Sequence, residues 1–162
     1  MKTAIDQNVE EKFVLEMKRE FPVSRERVFA AFGSFEAMSG WFGPHGCEVS
    51  DGEMNFVEGG TYRMQIPSED GGTNVVGGVY KEIQAPDRIV FSWQWEPRGD
   101  VTDDEMEITI EFRELDSGMT EMSLRQILVP DQEIAERHSW GWNETFEKLK
   151  TYLEEAKNVA TH

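Results

Sequence analysis

The sequence has a single cysteine, Cys47, so no internal disulfide can staple the chain. It also lacks any apolar run long enough to cross a bilayer and any apolar leader at its start, which predicts a cytoplasmic protein without membrane insertion. Basic residues are scarce: Lys and Arg number 16 against 32 Asp and Glu, a formal net charge of −16. Such a surface disfavours nucleic-acid phosphates and anionic lipid as partners, and reads first as a solubility device. No internal repeat and no low-complexity linker break the chain. What is present is a hydrophobic fraction of 38% with 11% aromatics over 162 residues, which excludes wholesale disorder and is enough for one core. The expected organisation is a flexible N-terminus over 1–10, one domain over 11–157 and a tail over 158–162, in a monomer or weak dimer.

One stretch organises the rest. From Asp131 to Ala156 the sequence reads as a single long helix, with Pro130 closing what precedes it and Asp131 placed to cap the first turn. Ile134, His138, Trp142, Thr145, Phe146, Leu149, Tyr152 and Leu153 recur at helical spacing, and Glu136, Arg137, Glu144, Glu147, Lys148, Lys150 and Glu154 fall mostly on the other side. At ~1.5 Å per residue such a helix extends roughly 40 Å, against about 25 Å for a strand of ordinary length. It is long enough to cross a sheet. Its first half carries large, partly polar groups (His138, Trp140, Trp142) and its second half ordinary core residues, which points to a pocket at one end.

Upstream, Phe13, Leu15 and Met17 alternate with polar residues in a first strand to about Glu20. Ser24 then caps a short helix, with Val23 and Val28 at staple spacing, and Phe35 to Ser39 forms another helical turn before the aromatic turn Trp41-Phe42-Gly43-Pro44. The period then changes to two. Cys47–Val49 and Glu53–Val57 read as short strands joined by an Asp51-Gly52 hairpin turn. A strand carrying Tyr62, Met64 and Ile66 follows, then one over Asn74–Ile83 with a bulge or close approach at Gly77-Gly78. Ile89, Phe91, Trp93 and Trp95 share a face opposite Ser92 and Gln94; Met106, Ile108, Ile110 and Phe112 form the clearest alternating run; and Met122, Leu124, Gln126 and Leu128 share a face of the last strand. Short turns between alternating strands predict an antiparallel meander with one wet face, covered on the other by the long helix, an α+β domain.

The order of these elements resembles the START, or birch-pollen-allergen-like, superfamily, also called SRPBCC. Within it the chain is similar to the branch named after the activator of the heat-shock chaperone ATPase. The residues carrying the resemblance are Phe21-Pro22-Val23 through Val28-Phe29, Trp41-Phe42-Gly43-Pro44, Gly59-Gly60-Thr61-Tyr62-Arg63 and Gly78-Val79-Tyr80-Lys81-Glu82-Ile83. Pro86-Asp87-Arg88-Ile89-Val90-Phe91, Thr120-Glu121-Met122, and Gly141-Trp142 with Leu149 complete the series. No one of these is specific; together they span nearly the whole chain. The resemblance implies a helix-grip fold: a curved antiparallel sheet wrapped around a long C-terminal helix, with two short helices after the first strand. It also implies a cavity between sheet and helix that often holds a lipophilic molecule. It does not imply one activity, because members range from carriers to cyclases and hydrolases.

Candidate ligand-binding residues are Trp41, Met64, Phe91, Trp93, Met106, Ile108 and Gln126 from the sheet side and Ile134, His138 and Trp142 from the helix side. For each the competing reading is ordinary core packing. Together, aromatics and methionines with one or two polar groups suit a flat apolar ligand. Gln126 is the polar intruder on its face, or else a strand end meeting solvent. His138 could bond a ligand oxygen or act as a base, or be a satisfied rim histidine. No catalytic set accompanies it, and His45, Cys47 and His138 lack zinc-type spacing, so neither a metal nor another cofactor is expected. Cys47 reads as a buried structural thiol. The acidic strand face Glu105, Glu107 and Glu111 is either solvated or a dock for a basic partner. The expected function is binding of a small hydrophobic ligand, lipid-like or an aromatic polyketide or flavonoid. The alternatives are stimulation of a chaperone ATPase, or an enzyme acting on a lipophilic substrate in the same cavity.

Overall fold

Each alternating run of the sequence finds a neighbour in one sheet. The structure, a computed structural model, describes residues 13–68, 70–99 and 101–160; the expected N-terminal segment 1–10 lies outside them. The strands are β1 (Phe13–Phe21), β2 (Asp51–Met54), β3 (Thr61–Pro67), β4 (Thr73–Gln84), β5 (Arg88–Trp95), β6 (Met106–Glu114) and β7 (Thr120–Val129). They form one antiparallel sheet in the order β1-β7-β6-β5-β4-β3-β2. Helices α1 (Arg25–Ala30) and α2 (Phe35–Met38) carry the chain from one sheet edge to the other, and the meander from β2 returns to pair β7 with β1. Helix α3 (Gln132–Ala160) closes the inner face, so the expected helix-grip arrangement is present. The helix runs past its expected end at Ala156 and through the first residues of the expected tail.

The caps at Ser24 and Asp131 are those the sequence signalled, and the structure adds one at Ser34. The Ser24 hydroxyl accepts from Arg27 N, Ser34 from Ala37 N at 3.1 Å, and Asp131 Oδ1 from Ile134 N at 2.9 Å. Each satisfies a donor that the first helical turn leaves open. Inward residues of β6 (Met106, Ile108, Ile110, Phe112) are 0 to 3% exposed, and they pack with Met122, Leu124, Phe146, Leu149 and Leu153 in one core.

Three local expectations are corrected. The Asp51-Gly52 pair is not a hairpin turn, and Cys47–Val49 is not a strand: Asp51 and Gly52 lie within β2, opposite Gln65 and Met64. Glycine is needed there because a Cβ on Gly52 would stand 2.5 Å from Arg63 O and 2.8 Å from the Phe35 ring, a close approach rather than a reversal. The reversal follows at Asn55–Gly60, where Gly59 takes φ +84°. Secondly, the outer face is not wet throughout. Ser92 and Val90 are buried, because the bare backbone of Gly78 lets β4 press on β5; a Cβ on Gly78 would meet Ser92 O at 2.0 Å. Ser92 then accepts Val79 N on its hydroxyl (2.9 Å) and the Tyr62 hydroxyl on its carbonyl (2.7 Å). The register shift in β4 falls between Tyr80 and Glu82, not at the glycines. Thirdly, Leu128 does not continue the inward face of β7. It takes φ +64° and is 46% exposed, while Val129 is fully buried. Between Gln126 and Val129 β7 spends one residue more than β1 does between Leu15 and Phe13, a bulge that reverses the alternation.

Candidate binding cleft

The sheet does not grip α3 evenly. Against the second half of the helix the interior is filled, and against the first half lies an open cleft of about 640 Å³, a size ordinary for small-molecule sites, which run to roughly 300–1,000 Å³. From the helix it is lined by Ile134, His138, Trp140, Gly141, Trp142 and Thr145; from the sheet by Ile66, Trp93 and Trp95; and from the loop after α2 by Phe42, Pro44 and Cys47. Gly141 is the low point of the helical wall: a Cβ added there would meet nothing within 4 Å. The indole of Trp140, 53% exposed, stands beside it. Glu133, Glu136 and Arg137 mark the rim, with Arg137 paired to Glu133.

The expected site residues divide by depth. Trp93, Ile134, His138 and Trp142 reach the cleft surface. Met64 and Phe91 do not; with Trp93 and Trp142 they border a separate void of only about 20 Å³, room for about one water. Met106, Ile108 and Gln126 are fully buried behind the wall. Trp41 is fully buried between the short helices and the sheet, its indole N–H bonded to Ala31 O at 3.1 Å and its ring edge-on to Phe32. Sequence reasoning placed these residues on the right face but not at the right depth, because periodicity reports which way a side chain points and not how far the cover lies above it. It missed Phe42, Pro44, Cys47, Ile66, Trp140, Gly141 and Thr145; the glycine inside an amphipathic helix, flanked by two tryptophans, is the signal that could have found the opening.

A chain of polar side chains backs the wall. Trp142 Nε1 donates to Gln126 Oε1 at 2.8 Å. The Gln126 amide nitrogen lies 3.1 Å from His138 Nδ1 and 3.2 Å from Met106 Sδ. Trp95 Nε1 lies 3.0 Å from His138 Nε2, with the two rings inclined by only 16°. Gln126 is therefore not a strand end in solvent but the buried anchor of this chain. Burial, and then the charge of Arg137, push the His138 pKa down to about 4, so the imidazole is neutral at ordinary pH. Trp93 packs against both Trp95 and Trp142, with ring centroids 5.4 and 5.2 Å away, and among the described residues its indole N–H has no acceptor.

Other candidates resolve simply. His45, Glu144 and Glu147 bring their ligand atoms within 4.8 Å of one another and could reach a common cation, but His45 and Glu147 are exposed and already paired at 3.2 Å. Cys47 is buried beneath the cleft. On the acidic strand Glu107 pairs with Lys81 at 2.8 Å and Glu111 with Arg88, so part of that face is neutralised from within. Among the described residues no helix is long and apolar enough to cross a membrane.

Residues 22–154 match the model of the family described as Activator of Hsp90 ATPase homolog 1-like protein. The chain belongs to that family. No curated protein matches it, but solved structures do. The chain is similar to a Chromobacterium violaceum protein at 26% identity, over 86% of this chain and 96% of that one, with a TM-score of 0.73. It is also similar to the AHSA1 protein from Silicibacter pomeroyi (24% identity, 93% and 100% covered, TM-score 0.77) and to a protein from Arthrobacter aurescens (22%, 91% and 88%, 0.77). At such identities the last two speak for the fold alone. Family and fold support, in general terms, a ligand-binding or chaperone-ATPase-activator-like role.

Proposed function

We propose that this single-domain protein binds a small, flat, largely apolar molecule in the cleft under the first half of α3. The observation that carries the reading is the empty space over Gly141 in an open cleft that Trp93, Trp95, Trp140 and Trp142 also line. A folded chain ordinarily covers aromatic surface of this kind with its own side chains. Here the helix presents a residue with no side chain at the point where covering would be easiest. Binding would draw on burial of apolar area, worth about 25 cal/mol per Å² before the costs of association. Intrinsic tryptophan fluorescence, titrated with planar apolar compounds, tests this: saturable quenching is expected in the native protein and not in Gly141→Leu, whose side chain would occupy the same space. Equal titration of both proteins would refute the assignment to the cleft.

The family description favours a second reading, stimulation of a chaperone ATPase through the protein's surface. Timing ATP hydrolysis by a purified chaperone of the Hsp90 class, with and without this protein, separates the two. An acceleration that survives Gly141→Leu would place that activity outside the cleft.

A further inference from the structure

The tryptophans of the cleft offer a ligand their rings more than their N–H groups. Trp142 donates to Gln126 Oε1 at 2.8 Å and Trp95 to His138 Nε2 at 3.0 Å, so both donors are engaged inside the wall. The Trp93 N–H is buried and does not reach the cleft surface. His138 has no nitrogen to spare, since its Nδ1 lies 3.1 Å from the Gln126 amide. The other polar side chains of the lining, Ser68, Asn74, Thr102 and Thr145, carry no charge. Among the described residues of the lining, charge enters at the rim: Glu133 and Glu136 are exposed, and Arg137 is paired with Glu133. Two carboxylates therefore stand against one guanidinium. Arg98, bonded to Asn74, is likewise paired, with Asp70 at 2.5 Å. The mouth is acidic, in a chain whose net charge is −16.

Resting on the binding reading above, we propose that the cleft takes an aromatic cation, a flat apolar frame with one positively charged nitrogen, lying among the indoles with its charge towards Glu133 and Glu136. The face of an aromatic ring is negative, and among the aromatic side chains indole attracts a cation most strongly. Four indoles line this cleft. Trp93 and Trp95 form a corner, their rings inclined by 88° with centroids 5.4 Å apart, and Trp140 is 53% exposed. An anion would meet negative ring faces and an acidic rim together. A neutral oxygen would lose its water without finding a donor from Trp93, Trp95, Trp142 or His138.

N-methylquinolinium, 1-methylnaphthalene and 1-naphthoate share one ring frame and differ in charge, and calorimetry on the full chain compares them. The hydrocarbon is the most apolar, so burial alone ranks it first. The proposal expects the cation to bind about fivefold or more tightly than the hydrocarbon, and the carboxylate most weakly. In the unaltered protein, added salt should weaken binding of the cation and not of the hydrocarbon. The cation's lead should fall several-fold in Trp140→Leu, which keeps an apolar side chain at an exposed position and removes the ring, and again in Glu133→Gln with Glu136→Gln. Hydrocarbon binding saturably and as tightly as the cation would overturn the proposal while leaving the apolar-cleft reading intact. Tightest binding of the carboxylate would overturn it in favour of an anion site. A lead unchanged in both variants, or one that survives Gly141→Leu, would trace the preference to the acidic surface at large and overturn its assignment to the cleft. Saturable binding of none of the three would remove both readings together.

Discussion

The indole N–H of Trp142 meets the side-chain carbonyl of Gln126 at 2.8 Å, joining the first half of α3 to the last strand inside the core. Both residues are buried, so the contact cannot be exchanged for water. Gln126→Leu should leave the Trp142 N–H without an acceptor and cost about 1–3 kcal/mol of stability, part of it offset by no longer burying an amide. Urea unfolding measures this. A loss too small to resolve would mean that the indole finds another acceptor.

His138 makes stability depend on pH in a defined window. Its pKa is about 4 in the folded protein against an ordinary value of 6.5. Between those values the unfolded chain takes up a proton that the folded chain refuses. Stability is therefore complete above about pH 6.5 and falls as the pH drops towards 4, by on the order of 2–3 kcal/mol. The measurement is the difference between the wild type and His138→Phe, in which contributions common to both proteins cancel. NMR of the imidazole should show His138 still neutral at pH 6.

Gly78→Ala places a methyl group 2.0 Å from the carbonyl oxygen of Ser92. Backbone, unlike the end of a flexible side chain, cannot step aside. A loss on the order of 2–4 kcal/mol is expected. Because β5 also carries Trp93 and Trp95, ligand affinity should weaken along with the urea midpoint. A midpoint equal to that of the wild type would show the two strands to be less tightly apposed.

Gly141→Ala is the opposite case. The helix gains a residue of better propensity, the added Cβ meets nothing, and stability should rise by ~0.5–1 kcal/mol. The larger Gly141→Leu side chain should keep the fold and abolish binding. Thermal melts and the fluorescence titration read the two effects separately.

Leu128 holds φ +64° at an exposed bulge, a conformation that costs a branched side chain about 1 kcal/mol or more. Leu128→Gly should leave stability unchanged or raise it slightly, where a glycine in a regular strand would lower it. A loss above about 1 kcal/mol would show the leucine side chain to be contributing contacts that outweigh the strain.

The strand meander, the caps at Ser24 and Asp131, and the inward faces of β5 and β6 were legible because each depends on residues a few positions apart. Asp51-Gly52 was misread because a glycine demanded by a neighbouring strand looks, in sequence, the same as one demanded by a turn. Leu128 was misread because an added residue in one strand is visible only against its partner. The site was half legible: Trp93, His138 and Trp142 stood out as large or polar groups on apolar faces. The depth at which Met106 would lie depends on the height of α3 above the sheet, and that of Trp41 on how the short helices seat against it.

The sequence by itself determined the periods, and with them the order of helices and strands and the inward face of the regular ones such as β5 and β6, since alternation and helical spacing are local consequences of backbone geometry. Tertiary structure alone decided where the helix stands clear of the sheet, which tryptophans reach the opening, and that Gln126 and His138 share one chain of hydrogen bonds. Those outcomes rest on the register between strands and on how a rod seats on a curved surface, and both are set by contacts between residues far apart along the chain.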